Sequence, residues 1–442
     1  MKRLRSGGRG ALVAVAAVCA VAAQAGAPVL PGLSGPDGAD RPAGAAWAAE
    51  GPSPYAFDPE ADVIEGAESD GDAPPLDEGV TYRDSIGPGE RLHYLIDLDA
   101  AENAYVSATA VPALGSRVRL GDELTVTVED PDGRTCDSEE ARVPPTGDYP
   151  RPLTAYASRT LDGEESGPCT AAGTYRVVVE RESKATSTQD PWEMELRRLS
   201  EPGLRSGGPT EPAGDWSSAV PEPPSAAPEA REGGAGFSTA VGLEAGAWTA
   251  SVVPGESVFY RVPVDWGQQL FATAELGSSE GDGIVGGAMS LAVHNPARGL
   301  VDSAESTSYS GRPKSVSTDP APPVDYANRF RSSARERAMR FAGWYYVRVS
   351  LNPEVGEKFG QRPYDVTLSL TVNGAAVDGP EYDGPAGEFA VSDESLDQAE
   401  NGDTPAAGDS GTMKLVAAGG IGLGTVLLLG LGGWTLLARR RA

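Results

Sequence analysis

Two stretches of this 442-residue chain are near copies of each other: Pro88 to Asp99 reads PGERLHYLIDLD, and Pro254 to Asp265 reads PGESVFYRVPVD, 166 residues later. A repeat of this kind restricts the fold to something one segment can build twice. The overlay extends well beyond the phrase. Tyr82 meets Trp248, Gly89 meets Gly255, Tyr94 meets Tyr260, Leu98 meets Val264 and Asp99 meets Asp265. Further along, AYVSATA from Ala104 lies over LFATAEL from Leu270, and LTVTVEDP from Leu124 over MSLAVHNP from Met289. Then GTYRVVV from Gly173 lies over GWYYVRV from Gly343, and PWEMEL from Pro191 over PYDVTL from Pro363. Five matched segments in one order predict two copies of one domain, over residues 78–199 and 237–374.

Each matched segment has the chemistry of a strand. LTVTVED and TYRVVVE alternate residue by residue and are rich in Val, Thr and Tyr, so one face is buried and the other wet. EDPDG and HNPARG supply turns after a strand, and the Pro-Gly of PGE supplies one before it. Short strands without helical crossovers predict an all-β fold of two tandem antiparallel β-sandwich domains. Residues 28–77, 200–236 and 375–414 are dense in Pro, Gly, Ser and acid, and their composition predicts unordered segments or linkers.

The order of PGE, a Tyr-x-Val/Ile strand, a Leu-x-Val-x-Asp/Asn-Pro turn and a Gly-x-Tyr strand resembles the bacterial pre-peptidase C-terminal domain, a jelly-roll-like β-sandwich of secreted and surface proteins. The resemblance covers both copies. It implies an accessory binding or solubilising module and brings no catalytic residues. The copies depart from the pattern in a long insertion before each Gly-x-Tyr strand, and no protease domain accompanies them.

The two ends set the expected compartment. Lys2, Arg3, Arg5 and Arg9 precede the apolar run Ala11 to Ala23 and the small residues near Ala27, the layout of a signal peptide over 1–27. Residues 415–438 carry no charge and are followed by Arg439, Arg440 and Arg441 within the tail 439–442. This predicts one membrane-spanning helix with its C-terminus cytoplasmic and the bulk of the chain outside. The whole layout looks like that of surface proteins of high-GC Gram-positive bacteria. The net charge is −28, and the 64 acidic residues all lie between these ends. Such a field excludes nucleic acid as a partner, repels anionic polymers, and suits a cation or another envelope or secreted protein. Oligomeric state is not legible. Cys136 and Cys169 remain once Cys19 leaves with the signal, and an oxidising exterior favours a bridge between them.

No catalytic set is expected. The two histidines, His93 and His294, fall opposite Phe259 and Glu129 in the overlay, so neither is kept between copies. Ser410 in the string GDSG has no scaffold or nearby base in the sequence. Two candidates for binding stand out. Asp97, Asp99 and Asp265 place carboxylates at a strand end, where Ca²⁺ would find oxygen ligands and where a solvated terminus is the other reading. Arg329, Arg331, Arg335, Arg337 and Arg340 gather in the second copy's insertion, either to grip a partner's acids or to pair with the protein's own. The expected work is binding or adhesion without chemistry, with a plain spacer, a peptidase accessory and a hydrolase as rivals.

Overall fold

The computed structural model describes residues 51–161, 169–306 and 308–405. The expected signal peptide, the 415–438 helix and Ser410 lie outside these residues. Among the described residues no helix is long and apolar enough to cross a membrane.

The fold is all-β. The first half holds β1 (Asp62–Val63), β2 (Thr81–Ile86), β3 (Arg91–Leu98), β4 (Asn103–Val111), β5 (Glu123–Glu129), β6 (Thr135–Arg142), β7 (Leu153–Arg159), β8 (Gly173–Glu182) and β9 (Trp192–Glu201). The second holds β10 (Glu229–Ala230), β11 (Val241–Gly242), β12 (Gly246–Val252), β13 (Ser257–Val264), β14 (Gln269–Leu276), β15 (Met289–His294), β16 (Leu300–Glu305), β17 (Lys314–Ser317), β18 (Gly343–Leu351) and β19 (Tyr364–Asn373). Short helices α1 (Ala334–Arg337), α2 (Pro353–Phe359) and α3 (Asp393–Asn401) are additions to the second half.

In the first half the sheets run β1-β2-β9-β4-β7 and β3-β8-β5-β6; in the second they run β10-β12-β19-β14-β17 and β11-β13-β18-β15-β16. The orders are the same once β2 is set against β12, except that β11 is matched in the first half only by an isolated bridge between Pro75 and Leu95. Register agrees as well: Tyr94 pairs with Val177 as Tyr260 pairs with Val347, and Tyr82 with Leu196 as Trp248 with Leu368. Inward residues alternate as the strand period requires, for example Leu124, Val126 and Val128 on β5, and fill one core per half.

The repeated phrase is a turn with a latch. Gly89 (φ 77°) and Gly255 (φ 93°) occupy the left-handed region that glycine tolerates. The following glutamates reach back, Glu90 accepting the Gly87 N–H at 2.5 Å and Glu256 the Val253 N–H at 2.9 Å. Tyr175 and Tyr345, the tyrosines of the Gly-x-Tyr strands, donate their hydroxyls to the carbonyls of Ala171 and Phe341, four residues back.

Two expectations need correction. The sheets are not wholly antiparallel, because β1, β10 and β11 each add a two-residue parallel pair at an edge. The segments read as unordered are also ordered in part. Residues 51–77 and 229–242 form matching arms, in which Gly66 and Gly233 each press against a β3 or β13 residue pair, Leu92 with Tyr94 and Val258 with Tyr260. A stretch after residue 374 carries buried Tyr382, Phe389 and Ala399, the last on α3. Composition missed these because their few apolar residues are buried by the sandwiches rather than by a core of their own. Residues 205–228 hold no helix or strand and are mostly exposed.

Candidate functional site

The disulfide is present, joining Cys136 on β6 to Cys169 before β8 with a Cα–Cα distance of 5.8 Å. The acidic strand ends close turns instead of converging. Asp99 accepts the N–H groups of Ala101 and Glu102, Asp265 accepts that of Trp266, and Asp97 accepts the Thr174 hydroxyl. Among the described residues no three ligand-type side chains gather in a set able to hold a metal ion.

The arginine cluster is dispersed inward rather than displayed as one patch. Arg329 is buried and donates to both Glu201 oxygens, at 3.0 and 3.2 Å. Buried Arg340 lies over the rings of Tyr105 and Phe341. Arg331 donates to the carbonyls of Ala213 and Gly214, Arg335 pairs with Asp302 and Asp319, and Arg337 donates to the carbonyls of Arg331 and Ser332. An acidic protein thus supplies most of the partners that the sequence left open.

Arg329 leads to a seam between the two sandwiches. Strand β9 of the first sandwich turns Glu195 and Glu201 outward, and both are fully buried under the second. Arg298 meets Glu195 at 2.5 Å, with side chains 3% and 0% exposed. Burial works against the charge of Arg298 and Arg329, yet the carboxylates of Glu195 and Glu201 raise both above the ordinary arginine range. Glu201 also accepts from Asn103, Tyr105 and Tyr382. Tyr105, Phe341 and Phe389 stack alongside, with centroids 4.7 to 5.7 Å apart. Arg298 reaches its partner from a left-handed backbone (φ 63°) at the turn position where the first copy has Gly133 (φ 83°).

The face of the second sandwich that receives the first is chemically altered from its counterpart. Where the first copy has Asp70, His93, Glu129 and Arg176, the second has Phe237, Phe259, His294 and Tyr346. Phe237 packs edge-on against the other three rings, with centroids 5.0 to 5.6 Å away. In the first copy the same positions are polar and half-solvated, with His93 2.6 Å from Asp70.

A cleft of about 490 Å³ opens at one side of the seam, walled by β6 and β7 of the first sandwich and by β15, β16, β18 and α1 of the second. Arg142, Arg151 and Arg335 line it and are ion-paired, to Glu123 and Glu140, to Glu305, and to Asp302 and Asp319 respectively. Arg337 and Arg348 also line it, and neither has a carboxylate within 4 Å among the described residues. Burial, with the like charge of Arg151, lowers Arg348 to about 10. His294 faces the same cleft with Nδ1 3.1 Å from the Arg298 carbonyl, which places the proton on Nδ1. Burial and then the charge of Arg348 push His294 down to about 3, so it is neutral.

No family model matches this sequence, and no curated protein does. Solved structures similar to the chain include the CUB1-EGF-CUB2 domain of human MASP-1/3, at 6% identity over 66% of this chain and 99% of that one, TM-score 0.15. Others are the ANXUR2 extracellular domain from Arabidopsis thaliana (8% identity, 69% and 86% covered, TM-score 0.17) and the CBM22-1-CBM22-2 tandem domain from Paenibacillus barcinonensis Xyn10C (10%, 68% and 92%, TM-score 0.16). Scores this low carry no argument about function.

Proposed function

We propose that the chain is a non-enzymatic, single-pass surface protein whose two sandwiches act as one rigid module binding a component of the cell envelope or a secreted partner. The observation that carries this reading is the cleft built from both sandwiches at a seam closed by buried ion pairs. Such a composite site exists only while the halves are locked together, which a plain spacer has no use for. The signal-like N-terminus, the uncharged run 415–438 and the pre-peptidase-like phrases support display outside the membrane as an accessory module.

The test is sedimentation of the purified full-length chain, in detergent micelles, with isolated envelope material. Saturable binding that weakens in Arg337→Glu, at the cleft mouth, is the expected result. Binding that never saturates, or that ignores the cleft, would leave a spacer.

A further inference from the structure

We propose that the seam cleft binds an acidic sugar, a pyranose carrying one carboxylate, with Arg348 as the anion anchor and Arg337 closing over it at the mouth. The proposal rests on the reading of the chain as a binding module and names the ligand class of its cleft.

In a chain of net charge −28, arginines with no carboxylate within 4 Å are conspicuous, and this cleft brings two of them together beside the lining residues Glu139, Glu140 and Glu305. Arg348 is 9% exposed, and one of its N–H groups donates to the Pro152 carbonyl. Its Nε has no partner among the described residues, and neither does Nη1 of neighbouring Arg151. A guanidinium offers five donors in a planar fork that matches a carboxylate, so a buried one with donors to spare is suited to an incoming anion. Arg337 uses its Nη1 on two backbone carbonyls, which hold the side chain in place, and its charge favours the ionised form of Glu139, a lining carboxylate that lies beyond ion-pair distance.

Ser290, Ser303, Thr154 and Tyr156 are also lining residues, the first and third with hydroxyls bonded to Tyr149 and Thr109, and the neutral His294 imidazole keeps a buried, unpartnered Nε2 that can only accept. Hydroxyl-rich walls with one aromatic surface suit a polyol ring better than an aliphatic acid. A volume of about 490 Å³ lies within the usual range for small-ligand clefts.

The overall acidity decides between two sources of the same chemistry. A long polyuronate would meet the protein's negative field along its whole length, whereas a free uronate or a chain end meets the cleft alone. The free or terminal sugar is therefore the favoured ligand, and polymer binding should rise as salt screens the field.

The experiment is calorimetric titration of the full-length chain with sodium glucuronate, beside glucose, acetate and polygalacturonate at low and high salt. Saturable glucuronate binding is expected, with glucose and acetate at least about tenfold weaker and polymer binding improved by salt. Arg348→Gln should weaken glucuronate binding about tenfold or more, and Arg337→Gln about threefold or more. Because Arg348 is buried, its variant is read only if its unfolding transition is intact. Arg337→Gln is read in every case, and unchanged affinity there overturns the proposal. So does an absence of glucuronate binding, or equal binding of glucose. If envelope sedimentation stays saturable while glucuronate fails, the ligand class alone is wrong; if both fail, the module reading falls too.

Discussion

Arg298 holds a backbone conformation that disfavours any side chain, and its repeat counterpart is glycine. A left-handed L-residue costs about 1 to 2 kcal/mol, and the buried contact with Glu195 offsets it. Arg298→Gly relieves the backbone but strands a carboxylate at 0% exposure, so a net loss of about 3 kcal/mol in urea unfolding is expected. Adding Glu195→Thr, which copies the second sandwich's Thr367, should recover most of that loss, because a vacated pair costs far less than an orphaned charge. His294 gives a second prediction at this scale. Its folded pKa near 3 lies below the ordinary 6.5, so between these values the unfolded chain binds the extra proton. Stability therefore falls as pH drops through this window, by up to about 1.4 kcal/mol per unit. His294→Gln should flatten the dependence relative to wild type in thermal melts from pH 6.5 to 4. Neither residue could be picked out from the sequence. The overlay set His294 opposite Glu129, but only the fold shows that three more positions around it have turned aromatic.

The strands that alternate, such as β5 and β8, were legible because burial on one face imposes period two on the residues. The arms were not, since a two-residue parallel strand has no period to read. Their one shared trace is the Glu-Gly pair, Glu65-Gly66 and Glu232-Gly233, which becomes visible only once the overlay is carried upstream. A Cβ on Gly66 would fall 2.6 Å from the Tyr94 hydroxyl oxygen and 2.9 Å from the Leu92 Cβ. Gly66→Ala should therefore lift the first arm, cost about 1 to 3 kcal/mol and speed limited proteolysis before Thr81. The bridge between Cys136 and Cys169 closes 33 residues and ties the edge strand β6, whose residues are all exposed or half-buried, to the chain before β8. Loop-entropy reasoning gives the bridge roughly 3 to 4 kcal/mol, so reduction should lower the melting temperature and raise hydrogen exchange first along β6. The arginine insertion shows the opposite limit of sequence reading. Its charge was plain, but the acids that Arg329 and Arg335 meet lie elsewhere in the chain, Glu201 on β9, Asp302 on β16 and Asp319 just after β17.

At the scale of the molecule, the two sandwiches stack head to tail: the β9 face of the first meets the β13-β18-β15 face of the second. Such a contact is heterologous and could in principle continue into further copies. Both outer faces have been made unsuitable for that. The first sandwich shows Asp70, His93, Glu129 and Arg176 where the second uses rings to receive a neighbour. The second shows Thr367, Ser369 and Thr371 where the first inserts Glu195, Arg197 and Leu199. Polar terminal faces of this kind are how short repeat arrays end. The seam between the copies is closed by the Glu195–Arg298 and Glu201–Arg329 pairs, the Arg151–Glu305 pair at 2.5 Å and the Tyr105–Phe341–Phe389 stack. Separating the halves would expose these groups unpaired, so neither half is stable without the other at its full value. Wild type should accordingly unfold in a single calorimetric transition, its van't Hoff enthalpy equal to its total enthalpy. Glu201→Gln with Arg329→Ala removes the charge on both sides of one weld while leaving each core intact. That variant should resolve into two transitions, the first sandwich retaining its disulfide-dependent step. Two transitions in wild type would mean that the seam is a loose contact, and that the cleft it frames is not held open as a fixed site.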